Sequence, residues 1–118
     1  MIVQVSPSGF SDWLASFPAG AAAAVVIDVR EPWELQTASV KEDGFTLMHI
    51  PMREVPAQLA RLQQALPADH PLACLCHHGM RSLQVANYLA QNGFTQVVNL
   101  QGGIDAWTKQ IDASVPLY

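Results

Sequence analysis

Short apolar runs alternate with amphipathic segments along the chain. Ile2 to Val5, Ala24 to Val29, Thr46 to His49, Leu72 to Cys76 and Gln96 to Leu100, most of them rich in Val, Ile and Leu, predict five strands. Runs apolar on both faces predict burial within the sheet. Helix signals fill the connections: Ser8 stands before Phe10-Ser11-Asp12-Trp13-Leu14, and Arg53 to Leu66 carries Val55, Leu59, Leu62 and Leu66 at helical spacing before Pro67 closes it. Arg81 to Asn92 places Val85, Ala86, Leu89 and Ala90 on one stripe, with Gly93 where a left-handed cap is expected. Gln101-Gly102-Gly103 turns into Ile104 to Gln110, whose Ile104 and Trp107, with Ile111, are expected to face the core. Strands alternating with helices predict βαβ units, hence an α/β domain with a mostly parallel sheet. Gln36 to Gly44 is read as a polar loop between the second and third strands.

Composition narrows the class. At 118 residues, with 50% hydrophobic and 14% charged side chains, the chain can bury a core of its own, so one domain spanning 1–118 is expected, held by neither metal nor disulfide. A formal charge of -4 offers no basic stripe, which argues against nucleic acid and anionic membrane as partners. Met1 to Pro7 lacks the basic start and apolar run of a signal peptide, and Asp28 stops the run Ala21 to Ile27 far short of the roughly 20 residues that cross a bilayer. A cytoplasmic protein is expected. Cys74 and Cys76, one residue apart with poor geometry for a mutual bridge, read as thiols in a reducing compartment.

The chemistry gathers at Cys76-His77-His78-Gly79-Met80-Arg81, between a buried-looking strand and an amphipathic helix. Backbone N–H groups at a helix start, with the positive end of its dipole, can lower a cysteine pKa from about 8.5 to roughly 3.5–7.5. The amides of residues 77 to 81 are therefore expected to cradle an anionic Cys76 sulfur. Gly79 permits the required backbone bend, and Arg81 adds a permanent cation at the end of the loop.

These residues resemble the single-domain rhodaneses, sulfurtransferases that carry sulfur on a cysteine as a persulfide. Val26-Ile27-Asp28-Val29-Arg30-Glu31-Pro32-Trp33-Glu34-Leu35 is similar to the family's early D-V-R-x-x-x-E segment, and Leu75 to Ser82 to its active-site loop. Gly93-Phe94, Val97-Val98-Asn99-Leu100 and Gly102-Gly103-Ile104-Asp105-Ala106-Trp107 follow its closing pattern in order and spacing. One stretch departs: Leu47-Met48-His49-Ile50-Pro51-Met52 keeps the family's H-I-P core but lacks its flanking glycines and alanine. The resemblance implies sheet order 1-5-4-2-3 with helices on both faces. It also implies a two-step exchange, in which Cys76 takes sulfur from a small donor such as thiosulfate and passes it to a thiol or protein acceptor, without a cofactor. In that reading Arg81 holds an oxyanion group of the donor, while His77 and His78 tune charge at the mouth or bind the acceptor.

Other readings stand beside this one. A binding module or thiol redox sensor would use the same thiolate, whereas phosphatase loops of the C-x5-R kind have one residue more than the four between Cys76 and Arg81. Cys74 reads as packing. Cys74, Cys76, His77 and His78 are ligand types, but a structural metal site pairs two ligands through a turn with a second pair far along the chain, and only His49 and His70 remain to add; no metal is expected. Asp28 and Arg30, at the end of the second strand, are read as structural neighbours of the site that satisfy loop groups. Trp13 and Trp107 are expected in the core, Trp33 in the core or at the rim of the site, and Gly102 and Gly103 as turn residues.

Overall fold

The computed structural model describes residues 1–18 and 20–118. Five parallel strands, β1 (Val3–Val5), β2 (Ala24–Asp28), β3 (Phe45–His49), β4 (Leu72–Leu75) and β5 (Val97–Leu100), form one sheet in the order β1-β5-β4-β2-β3. The helices are α1 (Phe10–Ala15), α2 (Pro32–Thr37), α3 (Val55–Ala65), α4 (Met80–Gln91) and α5 (Gly103–Gln110), and short 3-10 turns precede α1 and α3. Every residue of β2, β4 and β5 is buried, as runs apolar on both faces require.

Strand alternation sorts the core into two layers. Val25 and Ile27 of β2 and Leu72 and Cys74 of β4 point to one face, where they meet Leu62 of α3 and Val85, Ala86 and Leu89 of α4. Val26, Ala73, Leu75, Val98 and Leu100 point to the other, against Phe10 of α1 and Ile104 and Trp107 of α5. Helices therefore cover both faces, and the carboxyl ends of the central strands align: Asp28 pairs in register with Leu75 on one side and His49 on the other. In a parallel sheet that end carries the crevice.

Several expectations need correction. The segment after Arg30 contains an additional helix, α2, whose start was legible in Pro32 at the first helical turn and Glu34 two residues on. The supposed polar loop from Gln36 begins inside that helix and then buries Ala38 and Val40, so it is partly a core segment. Ala90 is exposed and Ile111 is 46% exposed, because each lies beyond the stripe that touches the sheet. Trp107 is buried and Trp13 half-buried, while Trp33 is 60% exposed and sits edge-on to Tyr118, which places it at a rim. Gly93 adopts φ 102° after α4 as expected.

The α4 packing is measurable. Leu89 has no solvent exposure, so Leu89→Ala is expected to lower unfolding free energy by about 2–5 kcal/mol through lost burial and a residual cavity. Ala90→Ser, on the exposed side of the same turn, should change it by less than about 0.5 kcal/mol. Urea denaturation of the two variants checks the assignment of faces.

Candidate active site

Cys76 follows β4 directly and is fully buried, with its Sγ turned into the turn that opens α4. Two donors reach the sulfur: the Gly79 N–H at 3.1 Å and the Ser82 hydroxyl at 3.2 Å. Of the amides expected to line the cradle, only that of Gly79 lies at hydrogen-bonding distance, and the second donor, Ser82, comes from one turn into the helix. A neutral N–H and a neutral O–H aimed at one sulfur, at the positive end of a 12-residue helix, suit an anion. Gly79 itself has φ 98°, the bend that turns the chain from strand into helix.

The loop is fastened from behind by a second helix. The Ile104 and Asp105 amides, in the first turn of α5, donate to the carbonyls of Cys76 at 2.9 Å and His77 at 3.1 Å. Such an approach leaves no room for a side chain at Gly103, where an added Cβ would stand 2.4 Å from both carbonyl oxygens. Gly103 also has φ 62°, in the left-handed region. From the sheet, Asn99 donates through Nδ2 to the Gly79 carbonyl at 3.0 Å and to Gln4 Oε1 at 2.9 Å. Strand alternation turns Asn99 to the α4 face, so a polar residue in mid-strand becomes a support of the cradle.

Asp28 and Arg30 form a pair with no exposure on either side chain. Arg30 places Nε 2.9 Å and Nη2 2.8 Å from the Asp28 carboxylate, and its remaining hydrogens go to the carbonyls of Glu34 and Ala38 and to the Tyr118 hydroxyl. Burial alone would pull the Arg30 pKa down, but the hydrogen bond and charge of Asp28 outweigh it and leave the guanidinium more basic than usual. His49 touches the Arg30 carbonyl at 2.7 Å and His70 the Ala23 carbonyl at 2.9 Å, so both are engaged away from Cys76.

Arg81 is paired with an acid. Its Nη1 and Nη2 meet the Glu34 carboxylate at 2.7 and 2.8 Å, a bidentate pair with Arg81 36% and Glu34 4% exposed. Glu34 also accepts from the Glu31 N–H at 2.9 Å and the Tyr118 hydroxyl at 2.8 Å. The Arg81 hydrogen bond holds the Glu34 carboxyl down to about 2 against the opposing effect of burial. Met80, the first residue of α4, is 71% exposed.

His77 is half-buried and stacked between two rings, Tyr118 at 3.8 Å and 5° and His78 at 3.9 Å and 27°. Burial, then the neighbouring His78, lowers its pKa, so at neutral pH the imidazole is uncharged. His77, His78 and Asp105 bring donor atoms within 4.8 Å of one another. The two imidazoles lie face to face with planes 27° apart, so their in-plane lone pairs occupy separate, nearly parallel planes. Cys74 is fully buried, and burial pushes its thiol up to about 12, which makes it inert packing beneath the site. A surface cavity of 540 Å³ lies elsewhere, against Phe10, Phe45 and Trp107. The sulfur site is a tight ring.

Glu34, Ser82, Asn99 and Tyr118 were not singled out as site residues from the sequence. Ser82 and Glu34 carried a signal, as a hydroxyl one turn into the helix and an acid in the first turn of another. Asn99 carried a weaker one, as a lone polar residue in a buried strand. Tyr118, 84 residues from Glu34 and joined to it only by the fold, carried none.

Residues 10–110 match the Rhodanese family model, described as rhodanese-like domain. Over 95 residues the chain is 39% identical to the rhodanese-like/PpiC domain-containing protein 12, chloroplastic, of Arabidopsis thaliana, spanning 80% of this chain but 30% of that protein. It is 33% identical over 86 residues to thiosulfate sulfurtransferase GlpE of Stutzerimonas stutzeri, spanning 73% of this chain and 72% of that one. A rhodanese-related protein from Thermoplasma volcanium superposes with a TM-score of 0.72 at 27% identity, covering 98% of this chain and 99% of that chain.

Two predictions test this geometry. Gly103→Ala is expected to destabilise by about 3 kcal/mol or more, as left-handed strain and displacement of the Cys76 carbonyl add, and calorimetry reads the loss. Since the folded Glu34 pKa of about 2 lies below the ordinary 4.5, its stabilisation is complete at neutral pH and is lost as pH falls through 4.5 toward 2. Wild type should therefore lose about 1–2 kcal/mol more than Glu34→Gln over that window, the figure reduced for the partly exposed Arg81. Urea titrations at neutral and acid pH measure the difference.

Proposed function

Because the chain belongs to the rhodanese-like family, we propose that it is a sulfurtransferase working through Cys76 as one rhodanese-like unit. The observation that carries the reading is the Cys76 sulfur set between the Gly79 N–H and the Ser82 hydroxyl in a ring of four residues closed by Arg81. Both donors point at the atom where negative charge must be held in the resting thiolate. The same donors serve the charge again once it moves one sulfur outward, so one ring supports both halves of the exchange.

In the first half the Cys76 thiolate forms an S–S bond with the outer sulfur of a donor such as thiosulfate. The donor's own S–S bond breaks, and its electron pair leaves with sulfite. In the second half a thiolate or other nucleophilic acceptor bonds to the terminal sulfur, and the pair of the persulfide bond returns to Sγ. No net oxidation occurs and no cofactor is required. Cys76 is fully buried, so the donor enters by displacing atoms that cover the sulfur, which favours a small sulfur compound over a bulky ester. His77, His78, Gly79, Met80 and Arg81 line the loop as donor-binding residues, with Arg81 oriented by Glu34. Asp28 and Arg30 act from behind as supports. Two buried, unbridged thiols fit a reducing compartment. Among the described residues no helix is long and apolar enough to cross a membrane.

Incubation of the purified protein with thiosulfate, followed by intact mass measurement, is expected to show the gain of one sulfur atom, absent in Cys76→Ser and reversed by a small thiol with return to the starting mass. A wild-type protein that gains nothing would overturn the transfer reading in favour of a binding or thiol-sensing role. Hydrolysis of an aryl phosphate without sulfur uptake would point to phosphoryl chemistry.

A further inference from the structure

Tyr118 lies outside every motif and every helix or strand, yet one side chain joins three parts of the site. Its hydroxyl accepts from Arg30 Nη1 at 2.9 Å and donates to Glu34 Oε1 at 2.8 Å. A guanidinium cannot accept and a carboxylate cannot donate, so the phenol proton has one place to be. Burial, with Glu34 beside it, raises the Tyr118 pKa to about 12 against the opposing pull of Arg30, and the group remains a neutral donor at neutral pH. Its ring lies 3.8 Å from that of His77 with planes 5° apart, and Trp33 meets it edge-on at 6.1 Å.

The contacts matter because of what they hold. Glu34 carries both terminal nitrogens of Arg81. His77, next to the nucleophile, has a buried Nε2 with no hydrogen-bond partner, so its ring is placed by stacking on Tyr118 and His78 together with a hydrogen bond to the Tyr118 backbone. We propose that Tyr118 is a positioning residue of the active site, its hydroxyl orienting the Glu34 carboxylate that aims Arg81 and its ring fixing His77 in the loop that receives the donor. This rests on the transfer reading for its kinetic consequence, but not for its structural one.

The two halves of the side chain separate by substitution in the full chain. Tyr118→Phe keeps the ring and removes one hydrogen bond to a charged carboxylate. It should raise the KM for thiosulfate about tenfold, the worth of one such bond, with kcat nearly unchanged and the His77 titration where it was. Tyr118→Ala also strips the ring from His77, which faces His78, Glu34 and Asp105 as its other titratable neighbours. Its imidazole titration, followed by NMR, should then move up toward the ordinary value near 6.5 and shift the pH profile of loading with it. Wild-type kinetics in the Phe variant together with an unmoved His77 titration in the Ala variant would overturn the proposal. A loss of thermal stability alone, with kinetics and titration unchanged, would do the same and reduce Tyr118 to packing. If wild type takes up no sulfur, the transfer reading fails, while the His77 titration still decides whether Tyr118 sets that ring.

Discussion

A guanidinium with no access to solvent, at the carboxyl end of β2, sets the terms for everything around it. A charge that has left water must be paired and all its hydrogens placed, or it costs several kcal/mol. Arg30 meets that demand by drawing four things together: the carboxylate of Asp28, the carbonyls of Glu34 and Ala38 that end α2, and the hydroxyl of Tyr118. Satisfying one buried cation thus fixes the helix that carries Glu34 and the chain segment that carries Tyr118. Glu34 then has its own obligations. Four hydrogen bonds converge on its two oxygens, two of them from Arg81. The path from the interior of the sheet to the end of the cysteine loop therefore runs through charge-assisted hydrogen bonds at every step.

The loop itself is shaped by two helices that start at nearly the same place. α4 begins on one side and offers Gly79 N–H and Ser82 O–H to the sulfur, while α5 begins on the other and takes the carbonyls of Cys76 and His77. Donors on the inside and satisfied acceptors on the outside are what an anion-holding turn requires, since an unpaired buried carbonyl near the sulfur would repel it. The geometry works only because Gly103 has no side chain to push the two backbones apart. Parallel strand order makes the meeting possible: β4 and β5 are neighbours, so the helices that follow them open side by side at the carboxyl end of the sheet.

What could be read from sequence divides along the same line. The strands, α3, α4, α5 and the cysteine loop announce themselves through local periodicity and short spacing, and the five-stranded parallel sheet with helices on both faces agrees with that reading. α2 shows no period because six residues hold too few apolar positions, although its proline and glutamate mark the start. Ser82 lies within the loop's own sequence, three residues beyond Gly79. Glu34, Asn99 and Tyr118 act on the loop from 47, 20 and, through Glu34, 84 residues away. No pattern in one chain reports a contact made across the fold. Arg81 shows the consequence: its type and place in the loop suggest a hold for a donor oxyanion, and only the fold shows the Glu34 carboxylate that orients it.

That matching bears on which chemistry the site suits. Arg81 is balanced by Glu34, Arg30 by Asp28, and His77 is held neutral by burial and by His78. The field at the Cys76 sulfur thus comes mainly from dipoles, the N–H and O–H groups and the start of α4, rather than from uncompensated cations. Dipoles arranged within a small ring stabilise negative charge on a single sulfur, the resting one or the outer one, without calling on either guanidinium.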